Sequence, residues 1–213
     1  MKRVLFLILI VVTGCKSDKK YHDVKVQEEV MTNISDKVSS VVEFQNKLNE
    51  EFKNPETSPL KDKDRSEFSE LDFFPIDTNF IVKAKLTFTP DAEVFFMPTT
   101  TDRKTQERLY AVANFKIKDV DYNLNIYQSM ALLDSEEYKD YLFLPFSDLT
   151  NGDATYGGGR YIDLRIPEGD EIVIDFNKAY NPYCAYNKKF SCPIVPNENN
   201  LSLAVKAGVK KFK

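Results

Sequence analysis

Val82, Ala84, Leu86 and Phe88 alternate along the chain with Lys83, Lys85, Thr87 and Thr89. A period of two places one apolar side against a core and one polar side in water, the pattern of a half-buried strand. Leu109, Ala111, Ala113, Phe115 and Ile117 repeat it, as do Tyr122, Leu124 and Ile126. Residues 141–146, 160–166, 172–176 and 201–207 complete the set. Few links between these segments are long enough for crossover helices, which predicts a mainly antiparallel sheet. Such a sheet must curl or split. The expected class is therefore mainly β, an antiparallel barrel or sandwich of about seven or eight strands.

Upstream the period is helical. Val41, Phe44, Leu48 and Phe52 recur at spacings of three and four, forming one apolar face. Ser40 with Glu43 three residues later fits a capping box, so the helix is expected to start at Ser40 and end near Asn54 and Pro55. Ser58-Pro59-Leu60 opens a second short helix or turn reaching about Glu70. One or two N-terminal helices should thus pack on a single domain over residues 40–213. Residues 24–39 are polar with scattered valines and show no clear period.

The first residues read as an address. Lys2 and Arg3 precede an unbroken apolar run, VLFLILIVV, over residues 4–12. A membrane-spanning helix needs about 20 apolar residues, so this run is too short. Val12-Thr13-Gly14-Cys15 resembles the lipobox of bacterial lipoproteins. That resemblance implies removal of residues 1–14 and lipid attachment, diacylglyceryl and palmitate, at Cys15. Residues 15–39 are then the lipidated cysteine and a polar tether. Two or more acyl chains give stable anchoring. Lys16 is unlike the aspartate that retains some lipoproteins at the inner membrane. The expected location is the cell envelope, at the outer membrane and facing the periplasm.

Composition narrows the chemistry. The chain has 213 residues, 42% hydrophobic and 29% charged, an ordinary globular mixture. Its one histidine, His22, lies outside the predicted domain. Histidine-dependent triads and histidine-rich metal sites are therefore excluded there. The net charge of −4 argues against a surface that tracks nucleic-acid phosphates. No cofactor is called for. With Cys15 lipidated, Cys184 and Cys192 form an even pair in an exported protein and are a disulfide candidate. Two separate thiols are the alternative.

Candidate site residues cluster late in the chain. No glycine occurs between Lys16 and Thr150, and then Gly152, Gly157, Gly158 and Gly159 follow closely. Glycine serves where backbone needs positive φ or close approach. The stretch Tyr156-Gly157-Gly158-Gly159-Arg160 lacks the Lys and Ser/Thr of a phosphate loop, and a strand pattern follows it. It is either a backbone nest for a small anion beside Arg160, or a bulged turn. Asp175, Asn177, Tyr180 and Asn181 make the densest polar-aromatic cluster. They line a pocket or pin an irregular segment across the end of the barrel. Glu198 and Asn199 follow two prolines. Glu198 is a general base if it meets Arg160 or Tyr161, and otherwise a surface acid.

Several motifs in order resemble one bacterial family, domain of unknown function 1684. They are TYGGGRYIDL (155–164), DFNKAYNPYCAY (175–186), Cys192-Pro193 and Glu198-Asn199. Upstream SPL (58–60), FFP (73–75) and FSDLT (146–150) also fit. The resemblance covers residues 40–208. Val195 departs from a usual proline and Val209 from a usual acid. The resemblance supplies a grouping and no activity.

The first functional reading is a binding module for a small polar ligand or an exposed partner segment. Its site combines the glycine loop and Arg160 with Asp163, Asp175, Asn177, Tyr180, Asn181, Glu198 and Asn199. The second is an envelope scaffold that binds a partner protein. The third is a histidine-independent hydrolase or lyase, with Glu198 or Asp175 as base and Arg160 as electrostatic stabiliser. Expected partners are the membrane through the lipid, and an unknown small ligand or envelope protein.

Overall fold

The computed structural model describes residues 19–213, and side chains from residue 33 onward. The expected signal segment, residues 1–14, and Cys15 lie outside the described residues. The chain divides into two compact units, Met1–Asp36 and Lys37–Lys213. Among the described residues no helix is long and apolar enough to cross a membrane.

Helix α1 runs over Lys19–Lys53 and a short α2 over Asp62–Ser66. The expected start at Ser40 is corrected, because residues 19–39 are helical. No Gly or Pro occurs between Cys15 and Pro55 to interrupt the helix. The N–H groups around Ser40 are therefore satisfied within the helix and need no cap. The Ser40 hydroxyl instead accepts from Lys178 Nζ at 2.6 Å. The apolar face is as expected. Val41 and Phe52 are buried, and Phe52 meets Tyr186 edge to face at 4.7 Å.

Seven strands follow: β1 Ile81–Phe88, β2 Val94–Pro98, β3 Lys104–Ile117, β4 Val120–Ser129, β5 Tyr141–Phe146, β6 Arg160–Arg165 and β7 Glu171–Asp175. They form one antiparallel sheet in the order β6-β5-β4-β3-β1-β7. Strands β1 and β2 share one edge of β3 in succession. Phe88 pairs with Ala111, and Val94 pairs with Arg108. The sequence reading missed β2.

The sheet curls into an open half-barrel rather than the closed barrel or sandwich expected. Its core is sealed by chain that is not strand. Phe176, Ala179, Leu201, Val205 and Ala207 enter the main core beside Leu86, Ala113, Leu124, Leu144 and Ile174. Residues 201–207 are consequently corrected from strand to irregular chain. Their alternation is real, but the Val205 and Ala207 carbonyls turn to the Arg160 guanidinium instead of a ladder partner.

Strand β3 carries an irregularity that divides the apolar interior. Leu109 pairs with Tyr127 and Ala111 with Ile126, leaving Tyr110 as an extra residue in a β-bulge. Beyond the bulge Ala111, Ala113, Phe115 and Ile117 face the main core. Before it, Leu109 joins a second apolar cluster with Met97, Tyr127, Phe143 and Tyr161. One added residue thus shifts the phase of side-chain alternation. Leu109 and Ala111 read as one face in the sequence, and they lie on opposite ones.

Candidate functional site

The glycine loop is wired by its own side chains. Asn151 Oδ1 accepts from the Asp148 N–H at 2.6 Å, and Asn151 Nδ2 donates to Thr155 Oγ1 and the Tyr156 carbonyl, each at 2.9 Å. Gly152 and Gly159 adopt φ of 85° and 86°. Gly159 also packs tightly, since a Cβ there would stand 2.7 Å from the Phe146 carbonyl oxygen. Gly157 and Gly158 are exposed.

Arg160 does not border an anion nest. It is wholly buried, and Nη2 donates to Asp148 Oδ2 at 2.8 Å and to the Val205 carbonyl at 2.9 Å. Nη1 donates to the Ala207 carbonyl, and the guanidinium lies over the Phe146 ring at 5.2 Å. Burial pulls its pKa below the usual arginine value while the charge of Asp148 opposes that pull. The group is therefore a cross-link between β6, the loop and the C-terminal segment.

Three asparagines are also structural. Asn177 Oδ1 accepts from the Asp77 N–H at 2.9 Å and Nδ2 returns to its carbonyl at 3.0 Å. Asn199 does the same for Asn125, with both bonds at 2.8 Å, and also donates to the Pro145 carbonyl at 2.6 Å. Asn181 Nδ2 donates to the Lys210 carbonyl at 3.0 Å. Each side chain substitutes for a missing strand neighbour. Asp175 caps the 3-10 turn Phe176–Lys178 by accepting from the Asn177 N–H at 3.0 Å. Glu198 is exposed and acts on Tyr127, whose phenol pKa it helps to raise after the larger effect of burial. Neither acid bonds to Arg160, so the sequence-predicted base-and-arginine arrangement is not assembled.

Two of the predicted residues, Asp163 and Tyr180, do meet in a cleft. It has a volume of about 420 Å³ and lies between the C-terminal half of α1, strand β6 and the segment 180–183. The helix contributes Phe44, Lys47, Leu48 and Glu51, and β6 contributes Tyr161 and Asp163. Alternation along β6 sends Arg160, Ile162 and Leu164 to the main core and leaves Tyr161 and Asp163 on the cleft side.

Asp163 Oδ1 accepts from two phenols, Tyr141 at 2.7 Å and Tyr180 at 2.6 Å. Burial, followed by the charge of Asp163, pushes both phenols far above the usual tyrosine range. They are fixed donors and not phenolates. Tyr183 likewise donates to Glu51 and is raised by burial and by that bond. Asp163 Oδ2 makes no hydrogen bond among the described residues. The cleft therefore offers an oriented carboxylate oxygen between aromatic walls, with two acids, Asp163 and Glu51, against one base, Lys47.

A further acid stands behind this network. Glu107, before the β3 bulge, is only 4% exposed, and its Oε2 has no hydrogen-bond partner among the described residues. Burial raises its pKa, and the hydroxyls of Thr105 and Ser129 offset only part of that. Its charge adds to the elevation of Tyr141. Sequence reasoning missed Tyr141, Glu51, Lys47 and Glu107. No local signal identifies them, because strand register and helix docking bring them together.

Cys184 and Cys192 lie side by side as thiols. The Cys184 N–H donates to Cys192 Sγ at 3.1 Å, and the Tyr156 hydroxyl is 3.9 Å from Cys184 Sγ.

The family model described as "Protein of unknown function (DUF1684)" matches residues 66–210. No curated protein matches the chain. A similar solved structure is the solution NMR structure of the uncharacterized protein from gene locus rrnAC0354 of Haloarcula marismortui. It is 31% identical with a TM-score of 0.66, and the match covers 84% of this chain and 96% of that one.

Proposed function

The chain belongs to the DUF1684 family of proteins of unknown function, and from that premise we propose a binding module for a small organic cation, seated in the Asp163 cleft. One observation carries the reading. Asp163 is an exposed carboxylate held by two phenols through one oxygen, while its other oxygen has no hydrogen-bond partner among the described residues in an aromatic-walled cleft. Two donors on Oδ1 fix the carboxylate before a ligand arrives, so little ordering cost falls on binding. An ammonium group gains a charge-assisted bond to Asp163 and attraction to the ring faces. Phe44 and Leu48 receive its apolar part.

The protein is further proposed to work at the cell envelope, anchored through Cys15 at the outer membrane and facing the periplasm. The support is the sequence of residues 2–15. Loss of palmitate labelling in Cys15→Ser is the expected result, and labelling that persists in that variant overturns the anchor.

The binding test is a thermal-shift screen of the chain carrying Cys15→Ser against primary and quaternary amines, carboxylates and neutral polyols. An amine at a hundred times its Kd stabilises by about 2.7 kcal/mol. The effect disappears in Asp163→Asn. Binding confined to carboxylates, or an amine effect that Asp163→Asn leaves intact, sinks the reading.

A second reading, the envelope scaffold, is favoured by β2. Val94, Phe95 and Phe96 are exposed on a strand whose one strand partner among the described residues is β3, residues 193–194 meeting only its end at Pro98 and Thr99, and Phe96 is 62% exposed. Such an edge suits strand addition by a partner protein. Phe96→Lys then abolishes capture of that partner while leaving amine binding unchanged.

A further inference from the structure

A cavity of about 490 Å³, lined by none of the Asp163 cleft residues, opens at Cys184. Cys184 lies in a 3-10 turn, Tyr183–Ala185, and is partly exposed. Cys192, eight residues on, is buried. Its backbone is tied to the chain that follows β2, the Thr100 N–H donating to the Cys192 carbonyl at 2.9 Å. The Cys184 N–H donates to Cys192 Sγ at 3.1 Å, which ties the Cys192 side chain to the backbone of Cys184.

Access differs between the two sulfurs. Cys184 faces the cavity, and Cys192 does not line it. The cavity wall is basic. Lys61, Lys188 and Lys213 border it, and its one acid, Asp64, is already bonded to Lys213. Bonds from the Cys192 thiol, the Tyr156 phenol and the Thr100 hydroxyl hold Cys184 down to about 6, against the effect of burial. The same pairing, with burial, pushes Cys192 upward. A thiol with a lowered pKa in a partly open site bordered by lysines is the arrangement of a reactive cysteine.

We propose that Cys184 and Cys192 form a thiol–disulfide exchange site whose co-reactant is a small anionic disulfide, with Cys184 attacking and Cys192 resolving. The Cys184 thiolate attacks one sulfur of the co-reactant RS–SR. The bond from Cys184 to SR forms, the RS–SR bond breaks, and one RS⁻ leaves. Cys192 then gives its proton to solvent and attacks the Cys184 sulfur. The internal disulfide forms and the second RS⁻ leaves. Two cysteines have lost two electrons in total, and one disulfide has been reduced to two thiols. The reverse sequence regenerates the thiol pair.

The test uses the chain carrying Cys15→Ser, reduced and then mixed with oxidised glutathione as the anionic disulfide, or with cystamine as a cationic one. Intact mass is followed over time. The parent is expected to lose two hydrogens and to carry no lasting adduct. Adding Cys192→Ser traps one glutathione on Cys184. Adding Cys184→Ser slows adduct formation about tenfold or more, because the remaining sulfur is buried and protonated. Lys188→Glu, which leaves both thiols in place, slows the reaction with oxidised glutathione and not that with cystamine. Melting curves recorded on each variant establish that it is folded. Equal adduct rates in the two single-cysteine variants overturn the assignment of roles. Faster reaction with cystamine than with oxidised glutathione in the parent overturns the co-reactant class. A parent that stays reduced in both reagents overturns the site itself.

Discussion

Arg160 and Asp148 form an ion pair at 2.8 Å in which neither side chain is exposed. Asp148 also accepts from the Thr150 N–H at 2.8 Å and the Thr150 hydroxyl at 2.6 Å, both through Oδ1. The pair joins the loop after β5 to the first residue of β6 and, through Arg160, to the C-terminal segment. Removing one member leaves the other charged in the interior. Asp148→Asn and Arg160→Met are each expected to cost about 3–5 kcal/mol in urea unfolding. The double variant should recover part of that loss. A single-variant cost below about 1 kcal/mol, the range of an exposed pair, counts against this account.

Glu107 gives a pH signature. Its folded pKa is raised above the ordinary value of 4.5 by burial. Below 4.5 both folded and unfolded chains hold the proton, and the group contributes nothing to the pH dependence. As pH rises, the unfolded chain ionises first, so stability falls until the folded value is passed. Glu107→Gln removes this decline and is expected to be more stable than the parent at neutral pH, because a neutral amide carries no ionisation penalty. Unfolding free energies of both proteins measured across this range give the comparison. Parallel curves for the two would show that Glu107 is not the titrating group.

Gly152 and Gly159 have nearly the same φ, 85° and 86°, in different surroundings. A Cβ at Gly152 meets no atom within 4 Å, whereas one at Gly159 meets Val195 Cγ2 at 2.5 Å and the Phe146 carbonyl oxygen at 2.7 Å. Gly152→Ala is expected to cost only the backbone penalty, about 1–2 kcal/mol. Gly159→Ala pays that and the clash, and its melting temperature should fall distinctly further. Equal losses would mean that close packing at Gly159 is unimportant.

Tyr141 and Tyr180 share one acceptor oxygen. In Tyr141→Phe or Tyr180→Phe the surviving phenol still holds Asp163, so each single change should cost less than the about 1.5–3 kcal/mol of a bond to a charged group. The double change leaves Oδ1 without either donor and should cost more than the sum of the two. A double-mutant cycle with a coupling energy near zero rejects shared control of Asp163.

Much of the sheet was legible because most strands bury one face and so alternate cleanly. Strand β2 was not. Of Val94, Phe95, Phe96, Met97 and Pro98 only Met97 is buried, so its pattern carries no alternation. The helix end near Asn54 was readable from Pro55, while its start was misplaced because a local cap signal at Ser40 cannot report whether the upstream chain is also helical. Residues 201–207 had the burial pattern of a strand and lost their ladder to Arg160. The unusual backbone around Gly159 was visible, but its purpose, close packing and a buried charge, depends on chain 45 residues away. Asp163 could be suspected. Its partner Tyr141 lies 22 residues distant and reaches it only through the pairing of β5 with β6, in which Phe143 faces Asp163.

The extra residue at Tyr110 makes a single strand the common wall of two apolar layers, with Leu109 in one and Ala111 in the other. Neither layer can be dismantled while the other keeps β3 in place. The backbone amides of Leu109 and Ala113 should therefore exchange their hydrogens through the same global opening, at one protection level. In folding terms the bulge is a coupling device, and it turns two small cores into one cooperative unit.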